Sequence, residues 1–412
     1  MRWSASGARH PGPGVVALLL CVAGCPTPED GASDRARAVL DEKIAESAEI
    51  ADFAFSLFGG ATDPAARLWI VEALASEAPG NVRRALAALG DAPPPEGREA
   101  LQGIFSTHTG SLQLQAAVAL ARLGDVEARD WLREQAADSV IDPGPAALEI
   151  LAAAGEEQIV TDLLRRRMES EHLGVRNEAY AILGRIRELW ATRLLIEGLD
   201  REFGEERAQA VKSLGQSGIP DVAPRIEKLI GYQGLVLPSI EALGNLANPS
   251  SVAVVEPLAS HEQPLVRAYA GVALWKLGRS GAVGEVIEPL VGSADPLVRR
   301  ELAEQLATVA DPTAETVLVT LTRDDDPAVR SAAIRSLLER GTSAHADLLL
   351  ELATDPNYEV STVALNGLAG SGRPADVSSI VPLLESENPY VAITAARALL
   401  GIRSRDPAAG GS

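Results

Sequence analysis

Cysteine is almost absent from this chain: Cys21 and Cys25 are the only two, four residues apart near the N-terminus. Beyond Cys25 there is no disulfide, no cysteine nucleophile and no thiolate metal site, so the fold there rests on packing. Aromatic residues make up only 4% and Met occurs twice, which excludes a core built around large rings. Apolar residues nevertheless reach 46%, mostly Ala, Leu and Val. Such small or straight side chains favour helices that approach one another closely. Basic residues are also short, at 37 against 57 acidic, for a net charge of −20. A phosphate backbone repels such a chain unless a local basic face exists, so nucleic acid is not an expected partner. The longest N-terminal apolar run, residues 15–24, is ten residues, half of the roughly 20 that a membrane-spanning helix needs. There is no Gly-rich phosphate loop, nucleophile elbow or paired-carboxylate motif. Past residue 24 the histidines are His108, His172, His261 and His345, too widely spaced in sequence to suggest a metal pair. No catalytic, cofactor-binding or metal-ligating residue is therefore expected, and the chain does not read as an enzyme.

What is present begins at the N-terminus. Arg2 and Arg9 precede the apolar run, which suits a cleaved export signal over residues 1–24. The end of that run, Val22-Ala23-Gly24-Cys25, resembles the bacterial lipobox, in which the Cys is lipidated and becomes the mature N-terminus. The resemblance implies lipidation at Cys25 and a place at the bacterial cell envelope. The outer membrane or periplasmic face is favoured, because Pro26 rather than Asp follows the Cys. The membrane is then a partner only through this lipid. The mature chain keeps 35 basic against 57 acidic residues, a net of −22. Residues 25–35 read as the lipidated Cys and a polar tether, and residues 36–63 as a single capping helix.

The rest of the chain repeats one phrase. Its anchors are Asn81, Gln115, Pro143, Val175, Glu206, Leu235, Val266, Val298, Val329, Val360 and Val391, separated by 34, 28, 32, 31, 29, 31, 32, 31, 31 and 31 residues. The residue eight after the anchor is Leu in all eleven, and the residue four after it is Ala in nine. Offsets of four and eight share one helix face. A second apolar segment follows each such helix, as in Ile226/Leu229 and Leu318/Leu321. Gly184, Gly215, Gly244 and Gly278 suggest helix C-termini, and Asp295-Pro296 and Asp326-Pro327 suggest helix starts. Each unit is thus a helical hairpin of about 31 residues that buries its faces only by stacking.

Residues 295–299, DPLVR, and 326–330, DPAVR, resemble the HEAT-repeat family in its short bacterial form, related to phycobilisome-lyase-type repeats. The resemblance covers about 64–402. It implies an all-α solenoid with first helices on the convex side and second helices on the concave side, and leaves 403–412 as a disordered tail.

Arg176, Arg207, Arg267, Arg299 and Arg330 each follow an anchor and read as a structural ladder, with Asp295 and Asp326 placed to receive them. Pro257, Pro289 and Pro382 inside the second segments read as kinks, and Trp69, Trp131, Trp190 and Trp275 as fillers between layers. For function, the pattern points to a scaffold that binds protein partners with basic segments. Glu256, Glu288, Asp347 and Glu351 on the second-helix face are the candidate contacts. A purely structural envelope component, or a bilin-lyase-like enzyme, are the competing readings. The last repeat lacks a second helix, so the C-terminal end reads as uncapped and open to a partner or to self-association. Oligomeric state is not legible.

Overall fold

A computed structural model describes residues 31–59, 63–138, 143–201, 204–341 and 345–405, and these are helical or in turns. The expected signal, Cys25 and residues 406–412 lie outside the described residues; residues 403–405, expected in the disordered tail, instead finish and cap the last helix, and residues 32–35, expected in the tether, open the first. The chain enters through α1 (Ala32–Glu46). It continues as pairs: α2 (Ala48–Gly59) with α3 (Pro64–Leu74), α4 (Pro79–Ala88) with α5 (Arg98–Thr107), and α6 (Ser111–Arg122) with α7 (Val126–Asp138). Next come α8 (Gly144–Ala153) with α9 (Glu157–Met168), α10 (Leu173–Arg185) with α11 (Leu189–Arg201), and α12 (Glu205–Gln216) with α13 (Ala223–Glu227). α14 (Val236–Leu246) is followed by α15 (Val252–Val255), and α16 (Pro264–Lys276) by short turns of π and 3₁₀ helix over Val283–Leu290. α17 (Pro296–Leu306) with α18 (Pro312–Leu321), α19 (Pro327–Glu339) with α20 (Ala346–Leu352), and α21 (Tyr358–Ser371) with α22 (Val377–Ile380) lead to α23 (Pro389–Ser404). The architecture is an all-α solenoid of stacked two-helix repeats.

The repeated phrase is the core. Residues four and five after every anchor are buried, from Ala85 and Leu86 to Ala395 and Ala396. The Leu eight after the anchor is buried in nine units and half-buried at Leu89 and Leu123. Asp-Pro does start helices: the side chains of Asp63, Asp295, Asp311 and Asp326 each accept a backbone N–H of the helix that follows, with Pro in its first turn. At the prolines of the second segments the helix changes type. Pro257 and Pro382 lie where α15 and α22 tighten into 3₁₀ turns.

The glycines lie at or near helix ends as expected, but only Gly278 acts as a terminator, just past α16 with a left-handed φ of 98°. Gly184, Gly215 and Gly244 lie in the last turn of their helices, where the next first helix touches them. A Cβ on Gly215 would sit 2.5 Å from Cα of Ala242, and one on Gly244 2.9 Å from Cα of Ala273. Gly59 makes the same contact with Ala88. These positions lie nine residues past an anchor and meet the residue seven past the next one. First helices therefore pack backbone to backbone.

The N-terminal region also differs from expectation. Residues 36–63 are not one helix; the chain breaks at Ser47 between α1 and α2. α2 is itself a first helix of the repeat, with anchor Ile50 31 residues before Asn81 and with Ala54, Phe55 and Phe58 buried at the following slots. The described residues thus hold twelve units.

These units close on themselves. α23 packs on α21 on one side and on α1, α2 and α3 on the other. Helix α1 takes the second-helix place of the last unit. It lies between Val381–Glu385 and α3, with Arg35 bonded to Glu385 at 3.3 Å and Arg37 to Glu72. Its buried face is Ala32, Ala36 and Leu40. The C-terminal end expected to be uncapped is therefore covered by the chain's own N-terminal helices, and no first or last repeat is left bare. Successive first helices pack directly on one another, whereas successive second segments touch at few points. In a closed array the more closely spaced elements lie on the shorter circumference. The first helices accordingly line the inside and the second segments the outside, the reverse of what the resemblance implied.

Candidate interaction surfaces

The seam is the most heavily bonded junction between distant parts of the sequence. Tyr390, at the start of α23, donates to the Glu49 carboxylate at 2.7 Å. Its ring meets Phe53 edge-on at 4.9 Å and stacks on Tyr358 at 5.9 Å. Deeper in, the Arg397 guanidinium donates to the Leu57 carbonyl and to the Asp63 carboxylate, both at 3.1 Å, and lies over the Phe58 ring. Both charged side chains are less than one-tenth exposed. Asp63 thus caps α3 with one oxygen and holds α23 with the other. The local sequence marked Asp63 only as the Asp-Pro start of a helix and did not mark Arg397 at all; neither was legible as a long-range partner. The signal that existed was the 31-residue step back from Asn81 to Ile50, obscured because Phe58 replaces the usual Leu.

The arginine ladder is structural, but its partners differ from those expected. Arg299 donates to the Ser293 carbonyl behind it and to both oxygens of Asp324 in the next unit, at 2.6 and 2.7 Å. Arg330 repeats this with the Asp324 carbonyl and the Asp355 carboxylate. Arg176 pairs with Glu206, and Arg267 bonds the carbonyls of His261 and Glu262. Arg207 departs from the pattern and lies over the Tyr232 ring. Asp295 and Asp326 are occupied as helix caps instead.

Burial alone would raise the Asp324 carboxyl. Hydrogen bonds from Arg299 and from the Asp326 N–H, with the charges of Arg299 and Arg330, hold it below its ordinary value. A carboxylate depressed in this way stabilises the fold above its unfolded pKa of about 3.9, and that contribution is lost as pH falls through the folded value. Asp324→Asn should therefore lower the denaturation midpoint at pH 6, and the gap to wild type should narrow progressively as pH falls below the unfolded value of about 3.9. A gap of the same size across that range would show that Asp324 stabilises nothing through its charge.

The four candidate acids all lie on the outer, second-segment side. Glu256 opens the 3₁₀ turn after α15 and pairs with Arg279 of the next unit. Asp347 and Glu351, both on α20, pair with Arg373 and Arg323 from the units on either side. Glu288 is exposed and has no partner among the described residues. Asp347 remains 86% exposed and Glu351 61% despite their ion pairs. Exposed pairs of this kind contribute little to stability, so an incoming cation can replace the arginine at small cost.

Trp69 is buried between Phe55 and Phe58, with ring centroids 4.6 Å from each. Trp131 is half-buried, edge-on to Phe105. His261 accepts the Gln263 N–H, and His345 lies 3.1 Å from Glu315. Among the described residues no group of three or more His, Cys, Asp or Glu converges as for a metal, and no helix is long and apolar enough to cross a membrane.

Residues 283–369 match the family model of HEAT repeats. Among solved structures, the chain is similar to the complex of CpcE and CpcF of phycocyanin lyase from Nostoc sp. PCC7120, with 18% identity, 65% of this chain and 93% of that chain covered, and a TM-score of 0.38. It is also similar to human deoxyhypusine hydroxylase in complex with glycerol, at 17% identity, 60% and 97% coverage, and a TM-score of 0.32. A third likeness is Kap121p bound to Nup53p, at 13% identity, 87% and 46% coverage, and a TM-score of 0.33. No curated protein sequence matches the chain significantly.

Proposed function

We propose that this protein is a non-catalytic scaffold, lipid-anchored through Cys25 at a bacterial cell envelope, that binds protein partners on its outer acidic face. The observation that carries the reading is the placement of Glu256, Glu288, Asp347 and Glu351, exposed on a preformed array. A rigid surface spends little free energy on ordering. The mature chain's net charge of −22 steers basic segments toward it, faster at low salt. The anchor follows from the lipobox resemblance. Only residues 26–31 separate Cys25 from α1, a reach of at most roughly 25 Å. Lipid on Cys25 would therefore hold the seam, which contains α1, near the membrane surface.

Two experiments test the two halves. Cys25→Ser should move the protein from the membrane fraction to the soluble fraction; unchanged retention would refute lipidation as the tether. A photo-crosslinker placed at Glu288 in cells should trap a protein partner. Combined replacement of Glu256, Asp347 and Glu351 by Lys should cut that product at least tenfold. Equal yield from the charge-reversed protein would remove the outer acidic face as the binding surface.

A further inference from the structure

The longest step in the array, 34 residues from Asn81 to Gln115, coincides with an open groove in the structure. Its extra length lies in residues 89–97, the connection between α4 and α5, which carries Pro93, Pro94 and Pro95. Elsewhere the corresponding connection is as short as three residues, as between α6 and α7. Alongside this long connection, a groove of about 600 Å³ opens between α3 and α5, bounded by the starts of α4 and α6. Its floor is apolar: Leu74, Val82 and Ile104 are buried and Leu112 half-buried. Its rim carries the exposed carboxylates of Glu77, Glu96 and Glu99. None of the three has an ion pair or hydrogen bond among the described residues, unlike three of the four outer acids above.

Gly103 lines the same groove. Within a helix, Gly costs roughly 0.5–1 kcal/mol relative to Ala, so it needs a reason. The chain itself supplies none. The φ of Gly103 is not positive, and a Cβ there would meet no atom within 4 Å. The packing glycines of the first helices are the opposite case, each pressed by a neighbour. At Gly103 the helix backbone is left bare toward open space, which is what close approach of a bound chain requires.

We propose that this groove docks a segment of a partner protein that carries apolar anchor residues flanked by Lys or Arg. The apolar floor takes the anchors, Gly103 lets the segment lie against α5, and the three unpaired carboxylates hold the basic flanks. Because α3 and α5 are second segments, the groove is continuous with the outer face. The proposal rests on the scaffold reading and makes it specific.

The test is selection of displayed short random peptides against the purified full-length protein. Enriched peptides should carry apolar residues flanked by Lys or Arg. Their affinity should fall at least tenfold in Gly103→Leu, which fills the groove, and in the double variant Glu96→Lys, Glu99→Lys. Gly103→Leu should melt no lower than wild type; the charge variants, both at exposed sites, decide the matter if it does not. No enrichment, enriched peptides without basic flanks, or undiminished binding to both variants would overturn the proposal. If peptides fail here while the crosslinker at Glu288 still traps a partner, the groove assignment falls and the scaffold reading stands. If both fail, the scaffold reading falls as well.

Discussion

Arg397→Ala should open the array at its seam. The Arg397 and Asp63 side chains are 8% and 9% exposed, and removing one partner of a buried pair leaves the other charge without compensation. Such losses run at about 3–5 kcal/mol. The variant also loses the bond to the Leu57 carbonyl and the contact over Phe58. Repeat arrays unfold in segments, so the effect should be local. Amide hydrogen exchange in α1, α2 and α23 should accelerate by a factor of at least a hundred, about 2.8 kcal/mol at 1.4 kcal/mol per tenfold. Exchange in α10, α12 and α14 should stay unchanged. Acceleration below tenfold would mean that the pair does not hold the seam. Uniform acceleration everywhere would mean that closure stabilises the whole array rather than its ends.

Gly215→Ala should destabilise, although Gly to Ala inside a helix ordinarily stabilises by roughly 0.5–1 kcal/mol. The new Cβ would lie 2.5 Å from Cα of Ala242 and 2.7 Å from its Cβ. Backbone cannot swing aside as a long side chain can, so α12 and α14 must separate and give up contact along their length. Overpacking of this kind costs about 1–3 kcal/mol, and Gly215→Val should cost more. Thermal or denaturant melts would read the change directly. Gly103→Ala is the matched control. It lies in an equally regular helix with nothing within 4 Å, and should raise stability by the usual increment. If both alanine variants stabilise, the close approach of first helices is not a constraint in solution. If both destabilise, helix propensity is not the relevant term.

The repeat was legible because it is local. Offsets of four, five and eight lie within one helix, and burial at those offsets follows from the periodicity alone. Ala in the fourth slot, as at Ala210 and Ala270, announced close packing. The Asp-Pro starts were equally local and were read from two or three residues. The arginine ladder was half legible. Its bonds to carbonyls five or six residues back could be foreseen. The choice of Asp324 over Asp326 could not, because it depends on how far one hairpin is displaced from the next. Likewise Gly215 resembles a terminator in sequence, and only its neighbour 27 residues on reveals it as a contact point.

By itself, then, the sequence determined the unit: an Ala/Leu hairpin of about 31 residues, without cysteine beyond Cys25, that must stack to bury its faces. Only the tertiary structure decided that twelve such units close, which helices face inward, and that α1 fills the place missing after α23. The physical reason is accumulation. Each unit adds a small rotation that no single repeat encodes, and closure depends on the sum over all twelve. Asp63 and Arg397, 334 residues apart, meet only because that sum brings the last first helix back to the first.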